Sequence, residues 1–265
     1  GYAALSTQNF TTATNTYNVA VGYNAGAAVT TGTLNTLIGG LAGDALNTGG
    51  QSVAVGYEAL STEDGNGESV AVGYRALKTQ NAGVAGYNTA MGWDAGLSLT
   101  TGIRNVFIGA EAGDAVTDSD DNVAVGQGAL STNTLGSKST ALGQAALYAQ
   151  NYGTATDSYN TAVGYHAGAA VTTGTNNTLI GGLAGDAIST GLSNVAVGYL
   201  ALSLEDEHSY NIAIGDSALS VQNAGADAYN VAIGYSAGFT TSTGKHNTFV
   251  GSATGAFHTT GDGNT

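Results

Sequence analysis

Asn18-Val19-Ala20-Val21-Gly22 is followed seventeen residues on by Asn35-Thr36-Leu37-Ile38-Gly39, and after the same interval by Ser52-Val53-Ala54-Val55-Gly56. The motif is Asn or Ser, then Val, Thr or Ile, a small or apolar residue, an aliphatic residue, and Gly. It opens at residues 18, 35, 52, 69, 88, 105, 122, 139, 160, 177, 194, 211, 230 and 247, in steps of 17 with every fourth step lengthened to 19 or 21. A fixed period of this length is the mark of a repeat architecture, in which each unit buries its apolar face only against its neighbours. β-Branched and alanine cores bounded by Gly, Thr and Asn predict short strands, and the abundance of those same residues disfavours helix. Seventeen residues suit one coil of a β-solenoid, with two or three short strands and their turns per coil. About fifteen coils of 17–21 residues, stacked in parallel, predict a rod of roughly 70 Å.

The array fills the chain. We read residues 1–265 as a single continuous solenoid, divided into four-coil superrepeats at 18–87, 88–159, 160–229 and a partial 230–265. Gly1-Tyr2-Ala3-Ala4-Leu5 matches Gly56-Tyr57-Glu58-Ala59-Leu60, Asn264-Thr265 opens another copy, and Met91 is the only methionine. The segment is therefore expected to be a piece of a longer fibre.

Two motif positions carry structural expectations. The fifth is always Gly: Gly22, Gly39, Gly56, Gly73, Gly92, Gly109, Gly126, Gly143, Gly164, Gly181, Gly198, Gly215, Gly234 and Gly251. This predicts a corner with positive φ or close backbone approach. The first is Asn18, Asn35, Asn88, Asn105, Asn122, Asn160, Asn177, Asn194, Asn211, Asn230 and Asn247, with Ser in the remaining copies. Stacking turns these amides into a ladder of paired donors and acceptors. The second and fourth positions are aliphatic or Thr and the third is Ala, Leu or Phe, so both strand faces are largely apolar. The expectation is that Ala at the third position lets identical solenoids pack side by side; the alternative is an Ala tolerated on an exposed face. Leu37, Phe107, Leu179 and Phe249 exchange large for small against their neighbours, as layers sharing one packed volume do. Tyr23, Tyr57, Tyr74 and Tyr199 at the sixth position predict partial aromatic stacks.

The 265 residues include 42 glycines, no proline, no cysteine and a formal charge of −14. Disulfides and cysteine metal sites are excluded. Acidity without basic clusters argues against nucleic acid as a partner. No apolar run is long enough for a spanning helix, and the 42% hydrophobic content argues against disorder.

The pattern Ser52-Val53-Ala54-Val55-Gly56 resembles the head repeat of trimeric autotransporter adhesins, and Asn160-Thr161-Ala162-Val163-Gly164-Tyr165-His166-Ala167-Gly168 is similar to repeats of phage tail-fibre proteins. The resemblance implies a left-handed, trimeric, parallel β-roll. It also implies an extracellular mechanical role at a cell surface or on a virion, with self-association as the main partnership.

Signs of catalysis are weak. His166, His208, His246 and His258 fall at different repeat phases, and the chain has no nucleophile elbow, phosphate loop or His-Glu-x-x-His. Glu63, Asp64 and Glu68, like Glu205, Asp206 and Glu207, are read as solvated turns rather than a glycosidase pair. The expectation is no enzyme and no cofactor. Structural calcium at Asp114, Asp118, Asp120 and Asp121 is the one metal alternative. The long loop after every fourth coil carries Gln8-Asn9, Gln80-Asn81, Gln150-Asn151 and Gln222-Asn223, which are candidate contacts for a glycan or receptor, with a spacer or clasp as the alternative. The Thr pairs at 30, 100, 172 and 240 recur only once in four coils, too sparsely for an ice-matching face.

Overall fold

Each motif core forms a strand of three residues, and no helix is present in the computed structural model, which describes residues 1–265. The chain forms two compact units, Gly1–Leu135 and Gly136–Thr265. The first contains β1 (Val19–Val21), β2 (Thr36–Ile38), β3 (Val53–Val55), β4 (Val70–Val72), β5 (Thr89–Met91), β6 (Val106–Ile108) and β7 (Val123–Val125). These pair in parallel and in sequence order, each residue opposite its repeat counterpart, as in Ala20↔Leu37 and Leu37↔Ala54. The second contains β8 (Gly136–Ser137), β9 (Thr140–Leu142), β10 (Thr156–Asp157), β11 (Thr161–Val163), β12 (Thr178–Ile180), β13 (Val195–Val197), β14 (Ile212–Ile214), β15 (Val231–Ile233) and β16 (Thr248–Val250). Strands β9 and β11–β16 continue the same in-register parallel order, while β8 and β10 form a small parallel pair of their own. Together this is a parallel β-solenoid of about fourteen turns.

Most coils contain one regular strand, not the two or three expected; the coils opening at residues 122 and 139 add a second, β8 and β10. The opposite wall is still hydrogen-bonded from coil to coil. Gly26 N–H donates to Ala42 O at 2.9 Å, Gly43 to Ala59 at 2.9 Å and Leu60 to Ala76 at 3.0 Å. This wall does not become a strand because its residues alternate into left-handed conformation: Asn24, Leu41, Glu58 and Arg75 have φ of 53–58°, and Leu60 and Leu77 have φ of 52° and 49°. Such a backbone turns continuously while offering N–H and C=O groups along the stacking axis.

The glycine corner meets both expectations at once. The fifth motif residue has φ between 127° and 147° in every copy. A Cβ on Gly56 would overlap the carbonyl oxygen of Gly73 in the next coil, so stacking also forbids a side chain.

The strand faces are the reverse of the expected arrangement. The third residue points inward: Leu37, Ala54, Ala71, Ala90, Phe107 and Ala124 in the first unit are buried, as are Ala141, Ala162, Leu179, Ala196, Ala213, Ala232 and Phe249 in the second. The second and fourth residues point out, and none of them is buried. The inward alanines are dictated by the facing wall. Coils with Leu at the ninth motif position (Leu60, Leu77, Leu130, Leu147, Leu202, Leu219) fill the interior from that side and leave room only for Ala. Coils with Gly at the ninth position come in pairs, and the large third residue of the second coil takes the space of both. Leu37 lies against Gly26 and Gly43, and Phe107 against Gly96 and Gly113; a Cβ on Gly113 would sit 2.5 Å from the Phe107 ring. The large-for-small exchange is thus between opposite walls of one solenoid.

Candidate functional site

Asparagine at the first motif position connects coils, chiefly through backbone; the amide-to-amide contacts are Asn105 Nδ2 donating to Asn88 Oδ1 at 3.2 Å and Asn264 Nδ2 to Asn247 Oδ1 at 2.9 Å. In the first unit Asn35 N–H donates to Asn18 Oδ1 at 2.9 Å and Asn105 N–H to Asn88 Oδ1 at 2.8 Å. In the second, Asn177 donates to Asn160 at 2.9 Å and Asn194 to Asn177 at 2.9 Å. The other end of each amide closes its own coil: Asn35 Nδ2 donates to Gly49 O at 3.0 Å and Asn177 Nδ2 to Gly191 O at 2.9 Å. Asn122, Asn211, Asn230 and Asn247 occupy the same buried position. One side chain therefore satisfies a donor in the next coil and an acceptor fourteen residues ahead.

Three of the four long-loop glutamines are not surface contacts. Gln80, Gln150 and Gln222 are fully buried. Each accepts from the Asn that opens the next coil: Asn88 Nδ2 to Gln80 Oε1 at 3.0 Å, Asn160 to Gln150 at 3.0 Å and Asn230 to Gln222 at 3.1 Å. Gln80 Nε2 also donates to Glu63 Oε2 at 3.0 Å, and Gln222 Nε2 to Glu205 Oε2 at 3.0 Å. Gln8 is half-buried, Asn81 is half-exposed, and Asn9, Asn151 and Asn223 face solvent. Where Leu occupies the ninth motif position, these polar side chains occupy the twelfth. Coils with Gly at the ninth position carry Val29, Leu46, Leu99, Val116, Val171 or Ile188 there instead, save the last two, which carry Thr241 and His258. The interior thus alternates apolar coil pairs with pairs bridged by buried amides and carboxylates.

The reading of Glu63 and Glu205 as solvated turn residues is corrected by this arrangement, since both are fully buried. Burial pushes both carboxyl groups above the ordinary value, against the opposing donors Gln80 and Asn66 N–H for Glu63 and His208 and Gln222 for Glu205. His208 Nδ1 lies 2.7 Å from Glu205 Oε1 and 3.9 Å from Asp206 Oδ1, so three groups able to ligate a metal converge in that turn. The spacing in sequence concealed this, because the corresponding first-unit turn has Asn66 in place of His208.

The four aspartates of the calcium alternative do not converge. Asp114 accepts from Ser131 Oγ at 2.6 Å, Asp118 from the Thr100 and Thr101 hydroxyls at 2.6 and 2.9 Å, Asp120 from Ile103 N–H at 2.8 Å, and Asp121 from Arg104 Nε at 2.6 Å. The threonine hydroxyls hold Asp118 below the usual carboxylate range, whereas desolvation raises Asp114. Asp120 and Asp121 share Arg104, whose Nη2 lies 3.8 Å from Asp120 Oδ2, while Asp114 and Asp118 each hold a contact of their own to an adjacent coil.

The outer sheet face carries exposed and half-exposed aliphatic side chains in register. Its fourth-position column runs Val21, Ile38, Val55, Val72, Met91, Ile108 and Val125 in the first unit, and Leu142, Val163, Ile180, Val197, Ile214, Ile233 and Val250 in the second. Val21 is 56% exposed and Val250 64%. Beside it stand the sixth-position aromatics, with Tyr57 and Tyr74 stacked at 5.7 Å and Tyr23 on Tyr2 at 5.5 Å. A second aromatic column, unnoticed in sequence, precedes the motif: Tyr210, Tyr229 and His246 stack at 5.0 and 5.3 Å. No helix is long and apolar enough to cross a membrane. No family model matches the chain, and no curated protein or solved structure compared with it does so either.

Proposed function

We propose that the chain is a structural, non-catalytic segment of an extracellular fibre of the adhesin or tail-fibre kind, in which identical solenoids, three around an axis, pack through their outer sheet faces. The observation that carries this reading is the unbroken outward column of Val, Ile, Leu and Met at the fourth motif position, flanked by Val, Ile and Thr at the second. A lone solenoid in water has no use for a continuous aliphatic face, and faces of this kind mark association surfaces. The buried amide network and the lack of cysteine suit a stiff element held by repeated packing.

Light scattering of the purified chain tests the proposal. The expected mass is three times that of one chain, and Val55→Glu with Ile108→Glu, both half-exposed, should return it to one chain mass with the circular dichroism spectrum kept. A wild-type monomer at every concentration overturns it. A second reading, adhesion to a glycan or receptor through the long loops, is favoured by the exposed Asn9, Asn151 and Asn223. Replacing these by Ala should abolish surface adhesion under that reading and leave it unchanged under the first.

A further inference from the structure

An aromatic ring stands on both flanks of the outer face in one coil of every four. In the first unit the pairs are Tyr17 with Tyr23 and Tyr87 with Trp93, and in the second Tyr159 with Tyr165 and Tyr229 with Tyr235. The first member precedes the Asn of the motif, the second follows the Gly corner, and the aliphatic strand residues lie between them. All these rings are exposed, Tyr87 to 59% and Trp93 to 48%. Aromatic side chains of this kind are the usual anchors of protein–protein contacts. Rings on the leading flank are also held in place within one chain. Tyr87 is hydrogen-bonded to Glu68, Tyr159 Oη donates to Asp157 Oδ2 at 3.2 Å, and Tyr229 stacks between Tyr210 and His246. Such preordering lowers the entropy cost of a contact.

The arrangement singles out a second copy of this chain as the partner. Parallel copies related by rotation about a common axis bring the leading flank of one against the trailing flank of the next. At equal height each leading tyrosine then meets a ring. Shifted by one coil in one direction, Tyr17, Tyr87, Tyr159 and Tyr229 would face Gly40, Ala110, Gly182 and Ser252. Shifted in the other, Tyr159 and Tyr229 would face Gln144 and Asp216, while Tyr17 and Tyr87 kept Tyr2 and Tyr74. A shift of four coils restores ring pairs but uncovers four coils of apolar face. With about 10 Å of strand and about 4.8 Å per coil, the sheet face offers roughly 700 Å² per copy before the rings are counted, close to the roughly 800 Å² per partner of a stable interface. We infer that the flanking rings set the register between neighbouring copies: Tyr17, Tyr87, Tyr159 and Tyr229 of one pack against Tyr23, Trp93, Tyr165 and Tyr235 of the next, closing the rim of the shared apolar face. The inference rests on the side-by-side association proposed above and adds to it the residues that align the copies.

Disulfide trapping tests it, since the chain has no cysteine of its own. In a Tyr87→Cys, Trp93→Cys double variant, strand β5 keeps the two positions roughly 10 Å or more apart within one copy, beyond disulfide reach. Mild oxidation should therefore give a covalent three-chain product on a non-reducing gel. A Tyr17→Cys, Trp93→Cys variant, its positions four coils apart, should remain single-chain. Trp93 is the only tryptophan, and acrylamide should quench it at least about twofold less in the wild-type assembly than in the dissociated Val55→Glu, Ile108→Glu chain. Circular dichroism confirms each fold, and the quenching of wild-type Trp93 decides the matter alone if the cysteine variants do not assemble. A wild-type mass of three chains with no trapped product, with equal trapping in both variants or with Trp93 unprotected overturns this inference and leaves the fibre reading standing. A wild-type monomer, the state expected if the rings serve a glycan instead, overturns both.

Discussion

A single glycine and a single asparagine per coil carry much of the local specification. Gly56 combines a φ of 141° with contact against the next coil's backbone, so Gly56→Val must displace two coils at once. We expect a loss of about 3 kcal/mol, the sum of backbone strain and overpacking, read as a lower midpoint in thermal unfolding. Asn105→Ala leaves Asn122 N–H without its acceptor at 3.0 Å and Ser119 O without its donor at 2.9 Å, both in buried surroundings. The expected cost is about 2–3 kcal/mol by the same measurement. A substitution of half-exposed Val106 by Thr, already the residue at the same position in β5, should change the midpoint little.

At the scale of the coil, the alternation of apolar and polar pairs is the main device. Leu60 and Leu77 adopt left-handed backbone, costing roughly 1–2 kcal/mol each, which their complete burial offsets. Beneath them Glu63 and Gln80 bridge adjacent coils, and Glu205 and Gln222 do the same in the second unit. Buried pairs of this kind set register more than stability, because a slip of one coil would place a carboxylate against Leu. Their protonation has a definite sign. The folded pKa of Glu63 and of Glu205 lies above the ordinary value of 4.5, so the fold binds the proton more tightly than the unfolded chain. Their destabilising contribution is fully present above the folded pKa and disappears as pH falls below the unfolded one. Unfolding midpoints measured from pH 7 downward should therefore contain a component that rises as pH falls through the folded pKa of Glu63 and Glu205 and that is missing from the Glu63→Gln, Glu205→Gln double variant.

For the whole molecule, charge and apolar surface oppose each other. A net charge of −14 on 265 residues keeps separate chains apart, while the aliphatic outer columns draw them together. Association through that face should strengthen as added salt screens the repulsion, with the mean mass in light scattering rising from low to physiological ionic strength. A mass that falls on adding salt would instead indicate association through ion pairs between chains.

What the amino-acid order determines by itself is the repeat. Period, strand position, parallel register and the glycine corner all follow from local chemistry recurring every 17–21 residues, and each is found where the spacing places it. The direction in which the strands face was decided only in three dimensions. Val and Ala are both apolar, so alternation alone cannot say which parity lies inside; the answer depends on Leu60 and Leu77 reaching across from a wall that has no strand periodicity. The fate of the polar residues was hidden for the same reason. Gln80 in a long loop and Glu63 in an acidic turn look solvated in one dimension, and only stacking brings a carboxylate, an amide and the next asparagine into one buried chain of hydrogen bonds.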